Sequence, residues 1–212
     1  MRNTLLVSIC LALCAGPVSA QLAPETVGTE TLGEPGKNWV VGKTRRAAYI
    51  FDADTGEMQG LISLSNSTSA FEIDRAREQF YAPESYFTRE IRGERTDIVA
   101  VYDFANLAPV AEIPIPQKIA VLPFRRHVGM LNDGRYFLVF NMSPAQSVTV
   151  VNVETREFVG EISTPGCAMI MPVQERDLLL ICGDGTLHHI QLAVDGSEMN
   201  RERRMKVFDV LE

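Results

Sequence analysis

Two cysteines and a pair of histidines lie close together in the stretch PGCAMIMPVQERDLLLICGDGTLHHI. Cys167 and Cys182 are fifteen positions apart, and His188 and His189 follow within seven residues of the second cysteine. Thiols and imidazoles at such spacing could hold a metal ion, form a redox-active thiol pair or include a structural disulfide. The cellular compartment and the secondary structure around these residues decide among the three.

The first twenty residues indicate export. A basic residue is followed by an apolar run from Leu5 to Ala15 and by small residues before a cleavage position after Ala20. This is the pattern of a secretory signal peptide, and the apolar run is too short to remain as a membrane anchor. We therefore expect residues 1–20 to be a signal peptide and residues 21–212 to be a mature periplasmic protein.

The charge of the chain limits its partners. The full sequence has a net charge of −7, and cleavage of the signal would remove one arginine and no acid. An acidic protein without basic tracts is a poor ligand for nucleic acids or anionic membrane surfaces. No second apolar run of membrane length follows the signal. We expect proteins or small molecules as partners, and neither nucleic acid nor a membrane.

Export changes the cysteine count. Cys10 and Cys14 belong to the signal peptide, which leaves Cys167 and Cys182 in the mature protein. An isolated pair in an oxidising compartment favours a disulfide. A zinc site would need about four ligands in closely spaced pairs, and the sequence has no CxxC or HxxxH pair of this kind.

The chain beyond Trp39 is predicted to consist of short strands. The order strand, polar residue, short turn and strand occurs three times, with Asp52, Asp103 and Asn152 at the same place in each, 51 and 49 residues apart. Further strand pairs lie between these units. About four strands in a period of roughly 40 to 50 residues is typical of a β-propeller blade. A β-sandwich or a solenoid is the alternative, but a sandwich does not repeat a four-strand unit. We predict an all-β propeller with about four blades' worth of sequence.

Two apolar strands support blade stacking. YFLVF (Tyr136–Phe140) and LLLIC (Leu178–Cys182) are apolar on both faces, as expected for strands between neighbouring blades. The C-terminal RRMKVFDVLE looks like the start of a strand with no partner after it. Either the N-terminal segment completes the last blade or the sequence is a shortened form of a longer propeller, and we favour the second.

The histidines are not expected to form a metal site. His188 and His189 lie in TLHHIQL, which is predicted to be a strand, so their side chains should point to opposite faces. His127 follows two arginines in a predicted loop and has no companion nearby. It could line a pocket.

The carboxylates are scattered and predict no acid–base pair. Asp52 and Asp103 occupy the repeat position, which favours a role in turn hydrogen bonding. The sequence has no GxSxG, HExxH or Gly-rich phosphate loop. From its composition, the run REIRGERTD (Arg89–Asp97) is predicted to be a solvated loop, whose surface ion pairs contribute little to the stability of the fold.

Two stretches resemble the heavy subunit of the quinone-dependent amine dehydrogenases, the methylamine and aromatic amine dehydrogenase family. The first is FTREIRGERTDIVAVYDFANLAPVAEI (Phe87–Ile113). The second is LNDGRYFLVFNMSPAQSVTVVNVETREFVGEISTPGCAMIMPVQERDLLLICGDGTLHHI (Leu131–Ile190). The resemblance covers most of the chain from about Tyr49, and the RGERTD run and the paired cysteines make it specific.

The resemblance implies a periplasmic seven-bladed propeller that pairs with a small light subunit in a heterotetramer. In this family the light subunit carries tryptophan tryptophylquinone and the catalytic residues. The complex oxidises primary amines to aldehyde and ammonia and passes electrons to a small copper protein or a cytochrome. The heavy chain supplies a scaffold and part of the substrate channel. We accordingly expect no catalytic, cofactor-binding or metal-binding residue on this chain.

One segment departs from the family pattern. Val41–Ala48 looks shortened and lacks the aromatic residue that lines the family's channel, so no channel residue is assigned. The alternative function is a non-catalytic periplasmic propeller, a protein-binding scaffold or a decaying remnant. Either way we predict a Cys167–Cys182 disulfide within one blade, with Cys182 at the end of a strand and Cys167 at the start of the loop before its hairpin partner.

Overall fold

The computed structural model describes residues 31–68, 70–117 and 119–209. The predicted signal peptide, residues 1–20, lies outside the described residues. The secondary structure is strand throughout, apart from one turn of 3₁₀ helix at Arg125–His127. No helix among the described residues is long and apolar enough to span a membrane.

Within the described ranges, sixteen strands form four antiparallel sheets, which we call blades 1 to 4. Blade 1 contains β1 (Trp39–Lys43), β2 (Ala47–Asp52) and β3 (Met58–Ser63). Blade 2 contains β4 (Ser67–Thr68), β5 (Glu72–Asp74), β6 (Gln79–Arg89), β7 (Arg92–Asp103) and β8 (Pro109–Ile115). Blade 3 contains β9 (Val128–Met130), β10 (Tyr136–Asn141), β11 (Ser147–Asn152) and β12 (Glu157–Ser163). Blade 4 contains β13 (Cys167–Pro172), β14 (Asp177–Cys182), β15 (Thr186–Leu192) and β16 (Glu198–Lys206). The all-β prediction with about four blades is confirmed.

The blades stack face to face because their central strands carry apolar side chains on both sides. In β10, Phe137 and Val139 pack in the core with blade 2, whereas Tyr136 and Leu138 pack in the core with blade 4. Alternating side chains of β7 divide in the same way between blades 1 and 3. Successive strand residues point to opposite faces, so one apolar strand contributes to two cores. The prediction that YFLVF is buried on both faces is confirmed.

In blade 4 the two faces differ. Leu178, Leu180 and Cys182 are buried against blade 3, whereas Leu179 and Ile181 on the other face are only half-buried. The expectation of burial on both faces of LLLIC is therefore wrong for the described residues. An apolar sequence indicates that both faces of a strand are suited to burial. Each face is buried only where another part of the structure packs against it.

The repeated polar positions build the same turn. Asp52, Asp103 and Asn152 each accept hydrogen bonds through a side-chain oxygen from backbone N–H groups two or three residues later, at 2.8–3.3 Å. The predicted structural role of Asp52 and Asp103 is confirmed. Just before each of these residues the pairing register shifts, in blade 1 between Ile50 and Phe51 and at equivalent places in blades 2 and 3. Each register shift is a β-bulge, in which the outer strand of the pair (β3, β8 or β12) has one extra residue. The bulge bends that strand at the same point of each of the three blades.

The C-terminal segment corrects an expectation. The first four residues of RRMKVFDVLE, 203–206, belong to the end of β16 instead of starting an unpaired strand. This strand pairs with β15 along its length, with Thr186 opposite Lys206. The strand begins earlier, at Glu198, within a polar sequence that gives no apolar signal. Backbone pairing at a sheet edge does not need apolar side chains, so the periodicity of the sequence did not reveal it.

Candidate functional site

The two cysteines lie directly opposite each other on neighbouring strands. Cys167 begins β13 and pairs in register with Cys182 at the end of β14. Their sulfur atoms are bonded at 2.06 Å, and the Cα atoms are 3.9 Å apart. Cys167 is thus a strand residue, and its predicted place at the start of a loop is wrong. Both side chains are buried between blades 3 and 4, where the disulfide is part of the apolar core.

The neighbouring histidines do not converge. His189 Nε2 lies 2.8 Å from Asp177 Oδ2, on the face of β15 opposite to that of His188. Within the described residues one group of three potential metal ligands occurs, in which His188 lies near Cys167 and Cys182 with all ligand atoms within 4.8 Å. The two sulfurs are bonded to each other, so neither offers the thiolate that a metal would need.

His127 is a core residue rather than part of an open pocket. It is 3% exposed and its ring lies between those of Phe124 and Phe140, with centroids 5.2 and 4.9 Å away. Burial lowers the pKa of His127, against a smaller opposing effect from the Leu122 backbone. The imidazole is therefore held in its neutral form.

The RGERTD run is an exposed stretch of strand that ends in a buried ion pair between Arg95 and Asp97. It lies in the long hairpin of β6 and β7, whose tip is between Arg89 and Arg92. The Asp97 side chain is fully buried and accepts two hydrogen bonds from Arg95, at 2.7 and 2.8 Å. The composition-based expectation of weak surface ion pairs is wrong here, because desolvation makes the pairing of Asp97 obligatory.

This network connects blade 2 to the segment that leads into blade 3. The Ile119 N–H donates to Asp97 at 3.0 Å, and Arg95 donates to the Ile119 carbonyl at 3.0 Å and to Ser85 Oγ at 3.1 Å. Gln117 donates to the Arg95 carbonyl. The motif that carries the family resemblance therefore fixes the path between two blades.

A groove of about 1020 Å³ lies along the first strands of blades 1 and 2 and the segment before β9. These first strands are sheet edges, the positions that surround the central channel in a propeller. Trp39, Val41, Phe71 and Ile73 give the groove an apolar wall. Trp39 is fixed by stacking on Phe104, with ring centroids 6.0 Å apart.

The charges in this groove are mostly positive. Lys43, Arg45, Arg75 and Arg125 line it, with Glu72 as its acid. Arg125 binds Glu72 through two hydrogen bonds of 2.7 and 2.9 Å, which neutralises both groups. In the described part of the chain Arg45 and Arg75 have no such acidic partner. The chain as a whole has a net charge of −7, so the lining of the groove has the opposite sign to the molecule.

A buried carboxylate lies behind the groove. Glu84 is 0% exposed and opposite Thr68 in the pairing of β4 with β6. It accepts hydrogen bonds from Tyr86 and, at 3.1 Å, from Tyr102. Burial raises the pKa of Glu84 despite these hydrogen bonds, which act in the opposite direction. Burial also raises the pKa of both tyrosines, with Glu84 adding to the effect, so they stay protonated as donors.

Lys43 lines the groove and interacts electrostatically with the Glu84 carboxylate behind it. Its ammonium donates to the carbonyls of Thr44 and Thr68, both at 3.1 Å. Burial lowers the pKa of Lys43, and the nearby Glu84 opposes that change. The arrangement can hold an anion in the groove, and it offers no nucleophile beside a base among the described residues.

Sequence reasoning missed this groove. The family pattern places a channel aromatic within Val41–Ala48, and Trp39 lies two residues before that segment. Glu84 was missed because PESY contains a single acid in an apolar strand, with no partner nearby in sequence. An acidic residue within an otherwise apolar strand sequence is the signal that could have revealed Glu84. Such an acid is rarely buried without hydrogen-bond partners, so it indicates a polar site nearby.

The matching family is described as the methylamine dehydrogenase heavy chain (MADH), and it matches residues 34–211. Curated methylamine dehydrogenase heavy chains are similar to this chain. The heavy chain of Paracoccus versutus is 28% identical over 68% of this chain, and that of Methylophilus methylotrophus is 28% identical over 76% of this chain. The heavy chain of Methylorubrum extorquens is 26% identical over 76% of this chain. The chain spans 34% to 39% of the length of these relatives.

Two solved structures share the fold. Dihydro-heme d1 dehydrogenase NirN, solved in complex with DHE, matches 82% of this chain and 37% of its own, with TM-score 0.52 and 18% identity. BamB from Moraxella catarrhalis matches 85% of this chain and 50% of its own, with TM-score 0.53 and 14% identity. Both are β-propellers, so the predicted fold class is confirmed. At these identities the likeness concerns the fold alone.

Proposed function

The chain belongs to the methylamine dehydrogenase heavy-chain family, and on that premise we propose that it is the propeller subunit of an exported amine-oxidising complex. The observation that carries the proposal is the family match over residues 34–211, which spans all four blades. Because the chain spans about a third of its relatives' length, the activity of the whole enzyme is part of the proposal.

The proposed reaction is the oxidation of a primary amine with water to an aldehyde and ammonia, releasing two electrons and two protons. The electrons go to a small copper protein or a cytochrome. Tryptophan tryptophylquinone, which we assign to a light subunit, supplies the two-electron oxidation of the amine. This sequence contains one tryptophan, Trp39, and cannot form a quinone built from two.

The role of this chain in the complex is to hold the light subunit and to form part of the route to it. Stacked blades with cores on both faces give a rigid scaffold.

The proposal includes the location of the protein. Residues 1–20 act as a signal peptide cleaved after Ala20, and residues 21–212 form a partial propeller domain in the periplasm. The Cys167–Cys182 disulfide supports an oxidising compartment. N-terminal sequencing of the exported protein should begin at Gln21.

Co-purification tests the proposal. The tagged chain is exported together with a methylamine dehydrogenase light subunit and the proteins that mature its quinone. We expect a light chain with quinone absorption in the visible to elute with the tagged chain, and not with an unrelated exported propeller carrying the same tag. Elution of the chain without any light chain would contradict the proposal and favour a non-catalytic scaffold.

A further inference from the structure

We propose that the inner-strand groove is a binding site for a small organic carboxylate whose apolar body lies against Trp39. The inference concerns the described residues alone and goes beyond the proposed amine oxidation. It rests on the charges of the groove and on its apolar wall.

The charge of the groove selects an anion. Four cationic side chains line it against one acid, and that acid, Glu72, is already bound by Arg125. Arg45 and Arg75 are exposed at the groove and have no ion pair in the described part of the chain. A cleft lined by charges of one sign concentrates ligands of the opposite sign. A protonated amine would be repelled here.

Lys43 has a donor left for an anion. Its ammonium is bound to the carbonyls of Thr44 and Thr68, which leaves a third N–H. Glu84, the carboxylate behind the groove, accepts hydrogen bonds from Tyr86, Tyr102 and the Ser65 N–H. An anion in the groove can accept a hydrogen bond from Lys43.

The apolar wall selects an organic anion over an inorganic one. Trp39, Phe71 and Pro123 lie on the groove, and apolar surface there gains free energy by covering the apolar part of a ligand. Guanidinium groups bind carboxylates through paired hydrogen bonds, which suits Arg45 and Arg75 to the charged end of such a ligand.

Tryptophan fluorescence gives a direct test because the single tryptophan, Trp39, lines the groove. The purified full chain is titrated with phthalate, with inorganic phosphate and with benzylamine. We expect a saturable change with phthalate, a dissociation constant at least about tenfold weaker for phosphate, and no saturable change with benzylamine. No response to phthalate, equal affinity for phosphate, or tighter binding of benzylamine would each overturn the proposal.

Variants locate the binding. Arg45→Gln and Arg75→Gln change exposed side chains, so the fold should persist, and each should weaken phthalate binding by about tenfold. Arg92→Gln removes the same charge at the distant tip of the β6–β7 hairpin and should leave binding unchanged. An equal loss in Arg92→Gln would overturn the placement in the groove. The test uses no light subunit, so its failure is distinct from failure of the proposed function.

Discussion

Asp97 is the residue on which the junction between blades 2 and 3 depends. Its buried carboxylate accepts two hydrogen bonds from Arg95 and one from the Ile119 N–H. Removing a partner from a buried pair leaves the remaining charge desolvated, and this costs more than the pair itself contributes. The network therefore acts as a local requirement for correct packing between the two blades.

Asp97→Ala should lower the free energy of unfolding by about 3 kcal/mol, because Arg95 and the Ile119 N–H would lose their acceptor. Chemical denaturation measures the change. Glu198→Ala is the matched control: it breaks a partly exposed pair with Arg201, whose hydrogen bonds are 2.6 and 2.8 Å, and should cost less than about 1 kcal/mol. Equal losses in the two variants would show that burial does not strengthen the Asp97 pair.

Glu84 should give the protein a pH-dependent stability. Its folded-state pKa lies above its ordinary value of 4.5, so its protonated form stabilises the folded chain. That contribution is fully present below the unfolded pKa and is lost as the pH rises through the folded pKa. Glu84→Gln, which stays neutral, should therefore gain stability relative to the natural protein as pH rises from about 4 to about 8.

Unfolding free energies of both proteins across that pH range test the prediction. A difference between them that does not change with pH would contradict the assigned cause. Tyr86→Phe is a useful comparison, since it removes a hydrogen bond to Glu84 and should raise the pKa of the carboxyl further.

At the scale of elements, four turns of the fold share one geometry. In each, an acidic or amide side chain accepts backbone N–H groups, and the residue four positions after it has a positive φ. These residues are Gly56, Glu78, Leu107 and Arg156, with φ of 74°, 53°, 53° and 58° respectively. Glycine adopts this conformation freely, whereas other residues are strained.

Arg156→Gly should raise the free energy of unfolding by about 0.5 to 1 kcal/mol, because relief of the positive φ exceeds the added entropy of the unfolded chain. The Arg156 side chain is exposed, so little packing is lost. Arg156→Ala keeps the strain and should show no gain. A gain in both variants would assign the effect to the lost side chain instead of the backbone.

The disulfide joins the first two strands of blade 4. It closes a loop with a sequence separation of 15, for which the chain-entropy estimate is about 3 kcal/mol of stabilisation. Replacing both cysteines by alanine should lower the unfolding free energy by about that amount. Thiol titration of the unfolded, unreduced natural protein should find no free thiol. Two free thiols would contradict the pairing.

Sequence reasoning worked best where chemistry repeats along the chain. The positions of Asp52, Asp103 and Asn152 revealed the blade period because each caps the same turn. It failed for Asp97 and Glu84, because the sequence does not say which acids a neighbouring blade will desolvate. The groove was missed for a similar reason, since its walls come from separate blades.

For the whole molecule, stacking decides which strands are buried. Blade 3 lies between two neighbours, and β10 is buried along its full length. Blade 4 has one such neighbour among the described residues, and the outer face of β14 is half-buried. From composition alone, both strands were predicted to be buried on both faces. Whether a face is buried depends on how the blades pack together, which the composition of one strand does not show.

The proposed division of labour places the scaffold on this chain and the chemistry on a partner. The most direct test is amine-dependent reduction of an electron-accepting dye, measured for the purified chain alone and for the chain purified with a mature light subunit. We predict dye reduction by the complex and none by the chain alone. Dye reduction by the chain alone, or none by the complex, would contradict the account.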